Sequence, residues 1–279
     1  MEFQDLLEKT TEYLPEEKIS VVKRAFNFAS EKHEGQKRLS GEPYIFHPLS
    51  IAIYLANLRQ DAATVAAALL HDVVEDCGVT LEELEIEFDG EISKLVDGVT
   101  KLGQLNLMSE NINESTPSHQ ERIRRAQSIR KMLVAMAEDI RVILIKLGDR
   151  LHNMQTLGAQ SPERRALIAQ ETLDVYAPLA HRLGIWEIKW ILEDLAFQQL
   201  DSKAYRRISR TLNAKRVERE AYIARVIRLL VDALNEAGID ADVTGRPKHI
   251  YSIHKKSERY ASNNREVSEI YDLFALRIN

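Results

Sequence analysis

Cysteine is almost absent from this sequence, which contains one in 279 residues. A single thiol, Cys77, excludes an intramolecular disulfide and a zinc-finger type of site, and it fits a reducing cytosol. Long apolar runs are missing as well: no segment has the length and apolarity of a membrane span, and the first residues lack the basic region of a secretory signal. We therefore expect a cytoplasmic protein with no membrane partner.

The sequence also lacks an excess of positive charge. It has 38 Lys and Arg against 43 Asp and Glu, a net charge of -5 and a pI near 6.0. A dedicated nucleic-acid binder is usually basic, so no direct nucleic-acid partner is expected. The 44% of hydrophobic residues is ordinary for a globular protein, and the length allows two domains or one large one.

The most informative stretch joins an apolar run to four ionisable residues. Residues 64–70 are apolar except for one threonine, which predicts a helix buried on every side. Then follow His71, Asp72, Glu75 and Asp76. Helical spacing places the first and third of these on one stripe and the other two beside it. Buried carboxylates must be neutralised, paired or given a metal, and an imidazole beside a carboxylate suits a divalent cation. His-Asp pairs are common by chance, so this interpretation needs further ligands.

A second apolar segment, residues 139–154, also has polar residues at its end. Its β-branched run could form a strand, but the segments before it look helical, and we interpret it as a buried helix. Asp149 and Asn153 lie one turn apart on it and share a face. A salt-bridged surface end is the alternative, and the apolar run before them weakens it.

The loop at residues 35–48 contains glycines and prolines that stop a helix, together with a basic pair, a hydroxyl and His47. A solvated surface turn with an isolated histidine is the default interpretation of such a loop. Farther on, residues 101–120 are polar and weakly periodic, and we expect a loop or broken helix there.

The periodicity changes after Gly238. The pattern predicts a strand at 239–244, a turn at 245–248, a helix from Ile250 to Lys256 and a strand at 273–278. The chain stops inside the last of these, and so short a β segment is a poor independent fold. We therefore expect a truncated second domain.

His47, then His71-Asp72, then Asp149 follow the order H…HD…D of HD-domain metallophosphohydrolases. The segments around them, 35–48, 71–76 and 145–154, resemble the hydrolase domain of the long RelA/SpoT homologues, which make and degrade (p)ppGpp in the stringent response. Further resemblances follow along the chain: residues 171–200 are similar to that family's connecting helices, and residues 245–253 and 270–277 to the opening of its synthetase domain.

The resemblance implies a mostly α fold in three parts. An HD-type helical metallohydrolase domain would occupy residues 1–160, connecting helices residues 161–200, and a partial α/β nucleotidyltransferase-like synthetase domain residues 201–279. The intact His71-Asp72 pair counts against the synthetase-only branch of the family, in which this motif is degraded.

The resemblance also implies an activity, the hydrolysis of (p)ppGpp to GDP or GTP and pyrophosphate at the ribose 3′ position. Glu75 and Asp76 would deprotonate or orient the attacking water. The implied ligands of one Mn²⁺ are His47, His71, Asp72 and Asp149. The implied contacts with the guanine nucleotide are Arg38, Ser40, Tyr44, Lys146 and Asn153. Two other functions stay open: an HD phosphohydrolase of another nucleotide, and a regulatory module that senses a nucleotide without turning it over.

Two features limit what the resemblance implies. Leu39 stands where many relatives carry a lysine, so one phosphate or base contact is missing and affinity is in doubt. The synthetase site is represented by Arg246, Lys248 and Lys256, which match ATP-phosphate contacts, and by Asp272, which matches a Mg²⁺ ligand. Mg²⁺ is expected only in a complete synthetase site and ribosome association only in a full-length parent protein. We expect this polypeptide to hydrolyse and not to synthesise.

Overall fold

The computed structural model describes residues 2–108, 138–214, 216–247, 249–261 and 274–278. In these ranges the chain is mostly helical, which confirms the mostly α fold class. It divides into two compact units, Met1–Lys189 and Trp190–Asn279, while the predicted three-part division stays a prediction. None of the helices in the described ranges combines the length and the apolarity needed to cross a bilayer.

The first unit is built from helices alone in its described part, apart from one isolated β-bridge in the loop before the third helix. In chain order they are α1 (Phe3–Thr11), α2 (Glu16–Lys32), α3 (Phe46–Asn57), α4 (Ala62–Leu70), α5 (Val73–Asp76), α6 (Leu81–Glu87), α7 (Gly90–Met108), α8 (Ile140–Gln155), a 3-10 turn (Leu157–Ala159), α9 (Pro162–Glu171), a π-helical turn (Thr172–Tyr176), α10 (Ala177–Arg182) and α11 (Trp186–Leu200), which continues into the second unit.

Helix α4 lies at the centre of this unit. It is apolar on all sides, and it packs against α2, α3 and α7. Asp61 starts the helix, because its side chain accepts a hydrogen bond from the backbone N–H of Thr64 at 2.7 Å. Leu69 and Leu70 are fully buried at its other end, and such burial contributes about 2 kcal/mol for each side chain. His71, the residue that follows the helix, is therefore buried as well.

Helix α8 confirms the predicted buried helix within residues 139–154, and it packs against α3. The side chain of Asp139 starts it by accepting from the backbone N–H of Arg141 at 2.9 Å. Gly148 faces α3, where an added Cβ would lie 2.9 Å from Cγ2 of Ile51. Glycine is needed at this point because the two helices approach too closely for a side chain.

Two expectations within this unit differ from the structure. The helix ends at Leu70, and His71 and Asp72 form a turn before α5 begins, so the four ionisable residues do not continue one uninterrupted helix. Both turn residues keep right-handed backbone angles, which carries the chain in nearly the same direction. Residues 101–108 are helical, as the end of α7, and the rest of the predicted loop lies outside the described residues.

The second unit adds a two-stranded sheet. Its elements after α11 are α12 (Ser202–Ala214), α13 (Arg216–Glu236), β1 (Val243–Pro247), α14 (Ile250–Ala261) and β2 (Phe274–Ile278). The strands are antiparallel, with Val243 opposite Ile278 and Pro247 opposite Phe274. The predicted strand at 239–244 was therefore placed too early, and residues 245–247 of the predicted turn are extended. Pairing with β2, which the local pattern does not encode, keeps them in the sheet.

Candidate metal centre

The four predicted metal ligands converge in the first unit. His47 lies in the first turn of α3, His71 and Asp72 lie in the turn after α4, and Asp149 lies on α8. One ligand atom each of His47, His71 and Asp149 lie within 4.8 Å of one another. Asp72 closes the group, with its Oδ1 3.0 Å from Nε2 of His71 and its Oδ2 3.5 Å from Nε2 of His47. These separations suit neighbouring ligands of one ion, which lie roughly 3 Å apart when each is about 2.1 Å from it.

The orientation of His71 fits a metal ligand. Its Nδ1 lies 2.8 Å from the backbone oxygen of Ala68, so Nδ1 carries the proton and donates it. Its Nε2 is then a bare lone pair, buried without a hydrogen-bond partner and facing a carboxylate oxygen of Asp72. Two lone pairs facing each other in the interior are unfavourable unless a cation lies between them. This donor set therefore fits a divalent ion.

Asp149 is buried, with 7% of its surface exposed, and is held by two neighbours on its own helix. Lys146 donates to its Oδ2 at 2.6 Å, and the amide of Asn153 donates to its Oδ1 at 2.5 Å. Burial alone would raise the pKa of Asp149, but the charge of Lys146 holds it well below the usual value. The same ion pair raises the pKa of Lys146 against the opposing effect of its burial. The carboxylate is thus ionised and ready to bind a cation.

His47 is fixed from the side opposite the cluster. Its Nδ1 lies 2.9 Å from Nδ1 of His152, which in turn lies 3.0 Å from Nη1 of Arg38. Nε2 of His47 points to the carboxylates, 3.4 Å from Oδ1 of Asp149. Burial, reinforced by the charge of Arg38, lowers the pKa of His152 to about 4, so its imidazole is neutral.

Tyr44 connects the cluster to the predicted catalytic carboxylates. Its hydroxyl lies 2.9 Å from Oδ2 of Asp72 and 2.6 Å from Oδ2 of Asp76. Burial and Asp72 raise the pKa of this phenol, so it stays a donor. The ring stacks on His33, with centroids 4.5 Å apart and planes inclined by 13°. The structure therefore places the Tyr44 hydroxyl against one predicted ligand and one predicted catalytic residue, and its own role as a nucleotide contact stays a prediction.

Glu75 and Asp76 both lie on α5, one turn beyond the ligands, and both are exposed. Burial of part of the side chain raises the pKa of Glu75, and Lys146 opposes that rise. A carboxylate with a raised pKa near the predicted ligands can accept a proton from water.

The remaining predicted contacts lie on two elements. Arg38 and Ser40 belong to the loop before α3, where the backbone N–H of Arg38 bonds the carbonyl of Glu42 and Gly41 turns with a φ of +88°. The Arg38 guanidinium reaches across to α8 and donates to Oδ1 of Asn153 at 2.6 Å. Ser40 is exposed, and its hydroxyl lies 3.5 Å from Oε2 of Glu42.

The predicted synthetase residues belong to the second unit. Arg246 lies on β1, and Lys256 lies on α14 with its amine 5.9 Å from the ring centroid of Tyr260. Lys248 and Asp272 lie outside the described residues. Their roles, and the expected absence of synthesis, stay predictions.

Two residues of the site were not assigned a role from the sequence. His152 lies on the same helix as Asp149, and its contact with His47 joins positions 105 apart in the chain. Gly148 brings α8 close to α3, and a glycine in the middle of an apolar helix is the signal that could have identified it.

Comparisons with known proteins show the family of the chain. The family model described as HD domain matches residues 25–186, more than half of the chain. The "Probable guanosine-3′,5′-bis(diphosphate) 3′-pyrophosphohydrolase" of Synechocystis sp. is 47% identical over 259 residues, 92% of this chain and 32% of that protein. The "Bifunctional (p)ppGpp synthase/hydrolase SpoT" of Escherichia coli is 42% identical over 276 residues, 99% of this chain and 37% of that protein.

Further similarities are of the same kind. The "GTP pyrophosphokinase" of Myxococcus xanthus is 44% identical over 268 residues, 96% of this chain and 34% of that protein. A solved structure of a metazoan orthologue of SpoT aligns with a TM-score of 0.47 and 24% identity, over 67% of this chain and 97% of that chain. The chain spans about a third of the length of the curated relatives it matches. It belongs to the HD-domain family and is similar over 92–99% of its length to these RelA/SpoT-type relatives.

Proposed function

We propose that the chain is a Mn²⁺-dependent guanosine-3′,5′-bis(diphosphate) 3′-pyrophosphohydrolase. The observation that carries this proposal is the convergence of two imidazoles and two carboxylates, one of which, Asp149, has a strongly lowered pKa. The relatives named for this hydrolysis, at 42–47% identity, support the choice of substrate.

The chemistry of the donor set supports the choice of metal. His47, His71, Asp72 and Asp149 offer two nitrogens and two oxygens, a mixed set that suits Mn²⁺ and leaves positions open on an octahedral ion. When bound, the ion lowers the pKa of a water molecule and screens the charge of the pyrophosphate. Lys146 keeps Asp149 ionised, and Tyr44 holds Asp72 in place.

Glu75 and Asp76 do the proton chemistry in this proposal. The raised pKa of Glu75 favours it as the base, and the hydrogen bond from Tyr44 fixes the direction of Asp76. A water molecule that loses its proton to Glu75 attacks the phosphorus bound to the ribose 3′ oxygen. The phosphorus–oxygen bond to the ribose breaks, the 3′ oxygen takes up a proton from solvent, and ppGpp yields GDP and pyrophosphate.

The loop before α3, together with Asn153 of α8, binds the nucleotide in this proposal. Arg38 lies beside the cluster on Asn153 and His152, where its guanidinium can turn to a phosphate or stack on the guanine ring. Asn153 then has its Oδ1 available for the nucleotide. Ser40 lies on the exposed side of the same loop, and the nucleotide must approach from there to reach it.

The test is ppGpp turnover by the chain after treatment with a chelator and then with added Mn²⁺. We expect GDP and pyrophosphate to form only with metal, and Asp72→Asn to abolish their formation. Asp97→Asn is the matched control, because Asp97 lies on α7 and pairs with Lys101 at the surface. Turnover that persists in the chelated protein or in Asp72→Asn would refute the proposal.

The same assay separates the two alternatives. An HD phosphohydrolase of another nucleotide would turn over a different member of a nucleotide panel and leave ppGpp intact. A sensing module would bind ppGpp in equilibrium dialysis and release no product at any Mn²⁺ concentration.

A further inference from the structure

His152 contacts the cluster without being one of its predicted ligands. It lies on α8, three residues after Asp149, so the two side chains occupy neighbouring positions on one face of the helix. It is half-buried, and its Nδ1 lies between two groups: Nδ1 of His47 at 2.9 Å and Nη1 of Arg38 at 3.0 Å. Each of these distances is that of a hydrogen bond.

The protons on these groups follow from what each can donate. A guanidinium only donates, so Nδ1 of His152 accepts from Arg38, and the proton of the His152 ring is on Nε2. The short contact with His47 is favourable only if Nδ1 of His47 carries a proton and donates it to the same lone pair of His152, which the two donors then share. With its proton on Nδ1, His47 has its lone pair on Nε2, the atom that faces Asp72 and Asp149. One acceptor atom thus sets the tautomer of a predicted ligand.

We propose that His152 is a positioning residue that holds His47 in the tautomer and ring orientation that bind a divalent ion. It does so from outside the ligand set, by accepting the Nδ1 proton of His47. The inference rests on the metal site of the proposed function and adds a residue to which the resemblance gave no role. Partners of this kind raise the basicity of a ligating imidazole and fix its direction.

A role as a direct ligand does not fit the same contacts. Nδ1 of His152 is directed at Nδ1 of His47, the ring atom farther from the carboxylates, and it is already shared by two donors. A role in packing alone would not depend on an acceptor at this atom. The acceptor atom is therefore what the experiment must vary.

The experiment measures Mn²⁺ binding to the whole chain by isothermal titration calorimetry. His152→Leu removes the acceptor and fills the space, whereas His152→Asn keeps an acceptor, because Oδ1 stands at the same number of bonds from Cβ as Nδ1. His181→Leu, at an exposed position on α10, is the control for loss of a histidine. Circular dichroism without metal checks folding, and His152→Phe replaces the leucine variant if that variant is unfolded.

We expect His152→Leu to weaken Mn²⁺ binding about 10- to 100-fold, the usual effect of losing such a partner. His152→Asn and His181→Leu should bind close to the wild-type value. In turnover, the Mn²⁺ concentration for half-maximal rate should rise in His152→Leu, while kcat at saturating metal changes little.

Equal weakening in the asparagine and leucine variants would overturn the proposal, since the imidazole itself would then be required. Wild-type binding in His152→Leu would overturn it as well. These two outcomes leave the proposed function intact as long as the wild-type chain binds Mn²⁺. If the wild-type chain binds none, the metal site and this inference both fail.

Discussion

Adding a methyl group at Gly148 should separate the two helices that supply His47 and Asp149. An ideal Cβ at this position lies 2.9 Å from Cγ2 of Ile51, a side chain that is 1% exposed. Carbon atoms in contact prefer about 3.5–4.0 Å, so the helices must move apart by roughly 0.5–1 Å. The isoleucine has little freedom to turn away, because it is β-branched and enclosed.

Two opposing energies decide the stability of Gly148→Ala. Overpacking costs about 1–3 kcal/mol. Replacing glycine by alanine inside a helix returns about 1 kcal/mol. We expect a net loss of about 0–2 kcal/mol in unfolding free energy, given by the difference between these two ranges. Gly148→Ala should affect Mn²⁺ affinity more than stability, because the distances between a metal and its ligands tolerate changes of only about 0.2 Å. We expect Mn²⁺ to bind about tenfold more weakly, an effect similar to losing an outer partner of a ligand.

Two matched glycine variants separate the site from general stability. At Gly158 an added Cβ meets nothing within 4 Å, so Gly158→Ala should leave Mn²⁺ affinity unchanged and should not lower stability. At Gly98 an added Cβ lies 2.7 Å from Cγ2 of Val142, near the other end of α8. Gly98→Ala should therefore lower stability and leave Mn²⁺ affinity near the wild-type value. The measurements are urea unfolding without metal and calorimetric titration with Mn²⁺.

The reasoning fails if Gly148→Ala binds Mn²⁺ as tightly as the wild type while it remains folded. It also fails if Gly98→Ala weakens binding equally, because separation of the helices near the cluster would then have no special effect.

Three further predictions concern charge at the site. Asp72→Ala should abolish turnover and leave a folded protein, since it removes a ligand rather than core volume; unchanged turnover would place the active site elsewhere. Lys146→Met should lower the unfolding free energy by about 3 kcal/mol without metal, because it leaves Asp149 buried and unpaired. Saturating Mn²⁺ should recover much of this loss in thermal melts, and an equal loss with metal would contradict the site. Leu39→Lys should lower KM for ppGpp about two- to fivefold at low salt, as expected for one exposed ion pair, since Leu39 is 74% exposed beside Arg38; an unchanged KM would place the nucleotide away from this loop.

Much of this site could be predicted from the sequence because ionisable residues occur where the apolar pattern predicts a buried helix. Ionisable residues set directly after a fully apolar helix are costly, and His71 and Asp72 stood out for that reason. Asp149 stood out in the same way at the end of a second apolar run. The structure brings these residues together with His47. The buried helix Ile140–Gln155 was also predictable, since the helical character of its surroundings outweighed its β-branched residues.

The remaining features depend on contacts between distant parts of the chain. Tyr44 bonds Asp72 and Asp76 only because the loop folds back over α5, which no local pattern specifies. The strand Val243–Pro247 was placed too early for the same reason, because its limits are set by its partner strand. The role of His152 depends on which atom of which ring it meets, and spacing carries no information about that.

The most direct test of the whole account is anomalous diffraction at the manganese edge from crystals of the chain grown with Mn²⁺. We predict one peak within coordination distance of Nε2 of His47, Nε2 of His71, and a carboxylate oxygen each of Asp72 and Asp149. The absence of a peak there, or a peak held by other residues, would contradict the metal centre and with it the proposed hydrolysis.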